Sequence, residues 1–230
     1  MDISKISGNF VFDMDEVLVD ISPLQYSHMR MNWRKYGPWL RDLGPLSDKE
    51  VLARPSFYIN DWLLKEELSG DKAKKAEAME MVRKMLFADF FSQDIYSQVK
   101  PNSFARKTIM NRSFMDHSRV SKVYILTRCT GPEMEESKKK FVAKYFGHPK
   151  VAFLCVKFDE KKSDVLKRNG VSWNLFVDDE LKNIIDFVEN YDVSGREFMV
   201  PRTGYNKMPL VLDLLIKEKG ASYTYFDKEI

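Results

Sequence analysis

The sequence is poor in the residues on which several protein classes depend. Its 230 residues include only two cysteines, Cys129 and Cys155, and three histidines, His28, His117 and His148. Two cysteines exclude a disulfide framework, and neither they nor the histidines have the spacing of a zinc site. No run of about 18 apolar residues occurs, so a membrane-spanning helix is not expected. The opening MDISKISGNF lacks the apolar stretch of an export leader. The expectation is a soluble, cytoplasmic protein with reduced thiols. No sign of charge dominates: 37 Lys and Arg face 34 Asp and Glu, and the basic residues are spread out, which leaves no strong nucleic-acid footprint. The densest basic stretch, Lys138 to Lys140, falls in an amphipathic pattern and reads as a solvated helix face.

What is present is a series of short β-prone runs that end abruptly: Phe10 to Phe12, Lys122 to Leu126, Val151 to Val156, Asn174 to Val177 and Glu197 to Val200. Such runs suit strands buried on both faces of a parallel sheet. Helical patterns lie between the later ones, at Pro132 to Tyr145, Lys162 to Arg168 and Leu181 to Glu189. Alternation of this kind predicts βαβ crossovers and an α/β fold with a doubly wound parallel sheet. From Ile21 to Gln98 the periodicity is helical, with Tyr26, Met29, Trp33 and Tyr36 on one face and one long helix, or two joined ones, over Ala73 to Phe91. This stretch is too long for one crossover. It predicts a helical cap at 21–98, inserted into a core formed by 1–20 and 99–230.

The acidic residues at the strand ends carry the chemistry. Asp13 and Asp15 follow the first run, and Asp178 and Asp179 follow the fourth. In a parallel sheet these ends share one edge, where open α/β folds bind ligands. Converging carboxylates repel, and a hard cation relieves that repulsion; their oxygen-only chemistry suits magnesium. Thr127 and Arg128 follow the second run and offer donors to an anion. Lys162, or its neighbour Lys161, adds positive charge at a helix start. Singly, each residue reads better as a solvated turn, a cap or a surface lysine. In order, they are the equipment of phosphoryl transfer to an aspartate.

The segment Asp13-Met14-Asp15-Glu16-Val17, then Thr127, Lys162 and Asp178-Asp179, resembles the motif series of the haloacid dehalogenase superfamily phosphatases. Within it, DMDEVLVD is similar to the opening of the 5'(3')-deoxyribonucleotidases. Pro55-Ser56-Phe57-Tyr58, FADFF at 87–91 and Lys144-Tyr145-Phe146-Gly147 resemble further segments of that family, whereas Arg128 stands where a small residue is usual. The resemblance implies a magnesium-dependent phosphomonoester hydrolase acting on a small phosphorylated substrate, a nucleoside monophosphate. It implies Asp13 as nucleophile and Asp15 as acid and base. Asp13, Asp15 and Asp178 would hold Mg2+, with Asp179 behind them, and Thr127, Arg128 and Lys162 would hold the phosphate. Phe57, Tyr58 and Trp62 of the cap are the candidates for stacking on a base, or else they pack the cap's own core. The competing readings are a phosphatase of a nucleic-acid terminus or of another small phosphomonoester, and a non-catalytic binding protein of the same fold. Tyr205-Asn206 either borders the site or forms a turn. Nothing in the pattern speaks to oligomeric state.

Overall fold

The computed structural model describes residues 3–203 and 205–227. Six parallel strands form one sheet in the order β3-β2-β1-β4-β5-β6. They are β1 (Gly8–Phe12), β2 (Val120–Arg128), β3 (Val151–Val156), β4 (Leu175–Val177), β5 (Glu197–Pro201) and β6 (Ser222–Phe226). Five coincide with the expected runs. The sixth, SYTYF, alternates aromatic and hydroxyl side chains and pairs only with β5, so it has the composition of a half-buried edge and no apolar run.

Side-chain alternation divides the core in two. Phe10, Phe12, Val123, Ile125, Leu175 and Val177 face one hydrophobic cluster, and Val11, Leu126, Phe176, Phe198 and Val200 face the other. The second is closed by the helices Lys162–Arg168, Leu181–Asn190 and Leu210–Glu218. The first is continuous with the insertion, because Tyr26, Met29, Tyr36, Val82, Leu86 and Phe90 belong to it. The cap therefore shares apolar burial with the core, the dominant favourable contribution to folding.

The insertion is helical throughout its described elements, from Ser22–Met31 to the long helix Lys72–Asp89. The expected face through Tyr36 is interrupted at Asn32, which leaves helical geometry (φ −102°, ψ 30°) between Ser22–Met31 and Trp33–Tyr36. Tyr26, Met29 and Tyr36 remain buried on either side of the break. The insertion's two ends meet at a neck, where Val19 bridges Pro101 and the Asn102 amide donates to Leu18 O at 3.0 Å. The Asn102 side chain also donates to Val17 O and to the Asp20 carboxylate. No described helix is long and apolar enough to cross a membrane.

Candidate active site

Strand order places the acidic pairs together. From β1 the chain passes through the cap to β2 and β3 on one side, and only later returns to β4 on the other. β1 and β4 are thus neighbours at the point where the winding reverses, and the crevice beyond their C-terminal ends is the usual ligand site of such sheets. Asp13 leaves β1 there, its amide donating to Val177 O at 2.8 Å. Asp178 and Asp179 leave β4, and carboxylate oxygens of Asp13, Asp178 and Asp179 lie within 4.8 Å of one another, all three residues buried.

Lys162 enters the cluster from the start of its helix, whereas its neighbour Lys161 stays outside it. The Lys162 side chain is 3% exposed, and Nζ is 2.7 Å from both Asp13 Oδ1 and Asp178 Oδ2; the Lys161 side chain is 60% exposed. The helix start itself is already capped, because Ser163 N and Oγ donate to the two oxygens of Asp186. The positive charge this element brings into the cluster is the Lys162 side chain. Asp178 is fixed through its other oxygen, which accepts from Glu180 N and Asn183 Nδ2, both at 2.9 Å.

One ammonium shared by two carboxylates does not balance the cluster. Burial pushes the Asp13 carboxyl up to about 7 although Lys162 opposes this, and Asp178 and Asp15 push it further. Lys162 itself is held protonated well above its ordinary range by the same two carboxylates, which outweigh its burial. The two shifts differ in sense: the pair favours the charged lysine and leaves Asp13 only partly ionised at neutrality. Direct hydrogen bonds to Lys162 support the first, and burial of the Asp13 carboxyl, with the nearby carboxylates adding to it, accounts for the second. The all-oxygen donor set and the excess of carboxylates over ammonium fit a hard divalent cation.

Asp15 is held separately. Its Oδ1 accepts from Tyr96 OH at 2.7 Å and its Oδ2 from Lys138 Nζ at 2.6 Å. The Lys138 ammonium also donates to Thr127 Oγ1 at 2.7 Å and to Arg128 O at 2.8 Å. Lys138 is fully buried, contrary to the expected solvated face, whereas Lys139 and Lys140 lie outside and pair with Glu135 and Glu136. The signal was in the helix Pro132–Tyr145. Position 138 falls four residues after Met134 and four before Val142, on the stripe those residues define. Tyr96 gave no comparable sign, since its partner lies 81 residues away.

Thr127 and Arg128 are the last two residues of β2 and not its sequel. Thr127 is buried and shares the Lys138 ammonium with Asp15, whereas the Arg128 guanidinium donates to Lys157 O and Phe158 O of the neighbouring loop while the residue still lines the cavity. Glu16, next to Asp15, takes a left-handed conformation (φ 58°) and its Oε1 accepts from Ile21 N and Ser22 N. That carboxylate caps the first cap helix from outside its sequence.

A cavity of about 590 Å3 joins Asp13, Asp15, Lys162 and Asp179 to the cap residues Phe57, Tyr58, Met79 and Phe87. Phe57 packs edge-on against Tyr58 and Tyr205, with centroids at 4.9 and 5.5 Å. Trp62 does not line this cavity; it packs against the core cluster with the Arg41 guanidinium over its ring. Tyr205 borders the site, its hydroxyl donating to Asp179 Oδ2 at 3.3 Å, while Asn206 is buried and donates to Pro201 O and Thr203 Oγ1.

No family model matches the sequence, and no curated protein matches it. Among solved structures, a predicted phosphatase from Clostridium acetobutylicum superposes with a TM-score of 0.51 at 13% identity, over 96% of this chain and 94% of that one. A provisionally named phosphatase from Clostridium difficile gives 0.51 at 14% identity, over 96% and 95%. A HAD-superfamily hydrolase from Geobacter sulfurreducens gives 0.46 at 14%, over 91% and 95%. At such identities the likeness is one of fold. That fold is a Rossmann-like parallel core with a helical insertion after β1. What this chain does with it is a matter for the site.

Proposed function

We propose that the protein is a magnesium-dependent phosphatase that hydrolyses phosphomonoesters through an aspartyl-phosphate on Asp13, with nucleoside monophosphates as its substrates. The observation that carries the reading is the placement of Asp13: buried at the end of β1, bonded to Lys162 and within 4.8 Å of Asp178 and Asp179.

Asp13 attacks phosphorus and forms a P–O bond, while the bond to the leaving oxygen breaks and that oxygen takes a proton from Asp15. Water then attacks the phosphoryl-aspartate, gives its proton to Asp15, and restores Asp13 with release of inorganic phosphate. Lys162 and Thr127 offset charge on the phosphoryl oxygens. Asp13 and Asp178, with the backbone at Asp15 and with Asp179 behind them, would hold the cation, whose charge would keep Asp13 ionised and polarise the phosphoryl group. The aromatic cap wall at Phe57 and Tyr58 supports a leaving group with a planar base.

The test is a panel of nucleoside monophosphates, sugar phosphates and 5'-phosphorylated oligonucleotides, each assayed with and without Mg2+. Nucleoside monophosphates should lead in kcat/KM, and chelation should remove the activity. Equal rates on sugar phosphates would defeat the nucleotide assignment, and preference for oligonucleotides would redirect it to strand ends.

A further inference from the structure

A fully buried lysine needs a reason, because removing an ammonium from water is strongly unfavourable unless its donors are satisfied. Lys138 has three donors and three acceptors: Asp15 Oδ2, Thr127 Oγ1 and Arg128 O, at 2.6, 2.7 and 2.8 Å. Its Nζ also lies 5.2 Å from the centre of the Tyr96 ring, whose hydroxyl holds the other oxygen of Asp15. With every donor used internally, Lys138 has none left for a substrate. Any effect on the reaction must pass through the groups it holds.

Two such effects follow from the geometry. The Thr127 hydroxyl accepts from Lys138, so its own proton is free to be directed to another acceptor. The Asp15 carboxylate is gripped at both oxygens from the interior, by Lys138 and Tyr96, while its side chain remains 36% exposed and lines the cavity. Each carboxylate oxygen keeps a lone pair beyond the one engaged. We infer that Lys138, with Tyr96, is a positioning residue that fixes the Asp15 carboxylate for proton transfer to the leaving group and turns the Thr127 hydroxyl toward the phosphoryl oxygens.

This inference rests on Asp15 acting as the acid in phosphoester hydrolysis, and the experiment separates the two. Lys138→Met and Tyr96→Phe are compared with the wild type on a nucleoside monophosphate, whose alkoxide leaves poorly, and on p-nitrophenyl phosphate, whose phenolate leaves without a proton. A misplaced acid penalises only the first substrate, and general-acid catalysis contributes on the order of a hundredfold or more. In Lys138→Met, kcat on the nucleotide should fall at least about tenfold further than on p-nitrophenyl phosphate, with KM little changed. The Thr127 share lowers both substrates together and cancels in that ratio. Tyr96→Phe, which removes one hydroxyl and leaves Thr127 untouched, should shift the ratio the same way by a smaller factor. Equal losses on both substrates in both variants would overturn the inference and leave Lys138 a structural residue. If Lys138→Met fails to fold, an unchanged ratio in Tyr96→Phe overturns it alone. Failure of the underlying reading is recognised differently: Asp15→Asn would then hydrolyse both substrates as fast as the wild type.

Discussion

On the core side of the cavity the polar groups stand at strand ends and are locked by short contacts: Lys162 to Asp13 and Asp178 at 2.7 Å, Lys138 to Asp15 at 2.6 Å. The cap side is built from rings and from cations that pair with groups of the cap itself or lie over rings. Arg54 spends its donors on Phe57 O and Val51 O and lies over the Tyr205 ring. Arg83 is paired with Glu80, its guanidinium 5.5 and 5.8 Å from the ring centres of Phe87 and Phe158. The core wall fixes charge to within a hydrogen bond, whereas the cap wall offers area and planarity. Chemistry should therefore fail abruptly when the core is altered, and selectivity should drift when the cap is.

The sharpest break of that contrast is Asp13→Asn. The amide is nearly isosteric but cannot serve as nucleophile, so kcat should fall by a factor of about a thousand or more while the fold persists. Phosphate release with the favoured monophosphate measures the first, and circular dichroism the second. Full activity in this variant would remove Asp13 from the chemistry and, with it, the distinction between the two walls.

The next effect concerns stability and carries a definite sign. Burial holds the Asp13 carboxyl at about 7 in the folded, cation-free protein, against 3.8 for the unperturbed group. Between those values the folded chain retains a proton that the unfolded chain has lost. Its stability therefore falls as pH rises from about 4 to about 7, and levels off above that. Thermal unfolding in chelator across this window should show the decline in the wild type and a shallower one in Asp13→Asn. Added Mg2+, binding the folded state, should raise the wild-type midpoint most at the upper end. Parallel slopes in the two proteins would show that Asp13 is not strained by its burial.

How much of this was open to reading depends on how far apart the partners lie in sequence. The acid pairs announced themselves because a strand end is a local event: Phe10 to Phe12 stop at Asp13, and Leu175 to Val177 stop at Asp178. The parallel order then brings them together without further information. β6 escaped because Ser222, Thr224 and the intervening tyrosines make an alternating edge with no apolar run. Lys138 was legible in principle, on the stripe of Met134 and Val142, but a lysine is discounted as exposed unless its partner is known. Its partner, Asp15, is 123 residues distant, and Tyr96 reaches the same carboxylate across 81. Aromatic residues of the cap were ambiguous for a different reason: Phe57 and Trp62 look alike in sequence, yet one lines the cavity and the other supports the core.

That last pair gives the mildest and most discriminating test of the cap wall. Phe57 presents its ring to the cavity between Tyr58 and Tyr205, and stacking of this kind contributes about 0.5–1.5 kcal/mol. Phe57→Ala should raise KM for a nucleoside monophosphate by up to about tenfold, with kcat nearly kept, and should barely alter KM for a small sugar phosphate. Trp62→Ala should do the reverse. It removes packing beside the core cluster and the ring beneath Arg41, so the unfolding midpoint should drop while the KM ratio between the two substrates stays where it was. If Trp62→Ala shifted that ratio and Phe57→Ala did not, the cavity wall drawn here would be the wrong surface for the leaving group, and the reading of the cap would have to start from the face that Trp62 occupies.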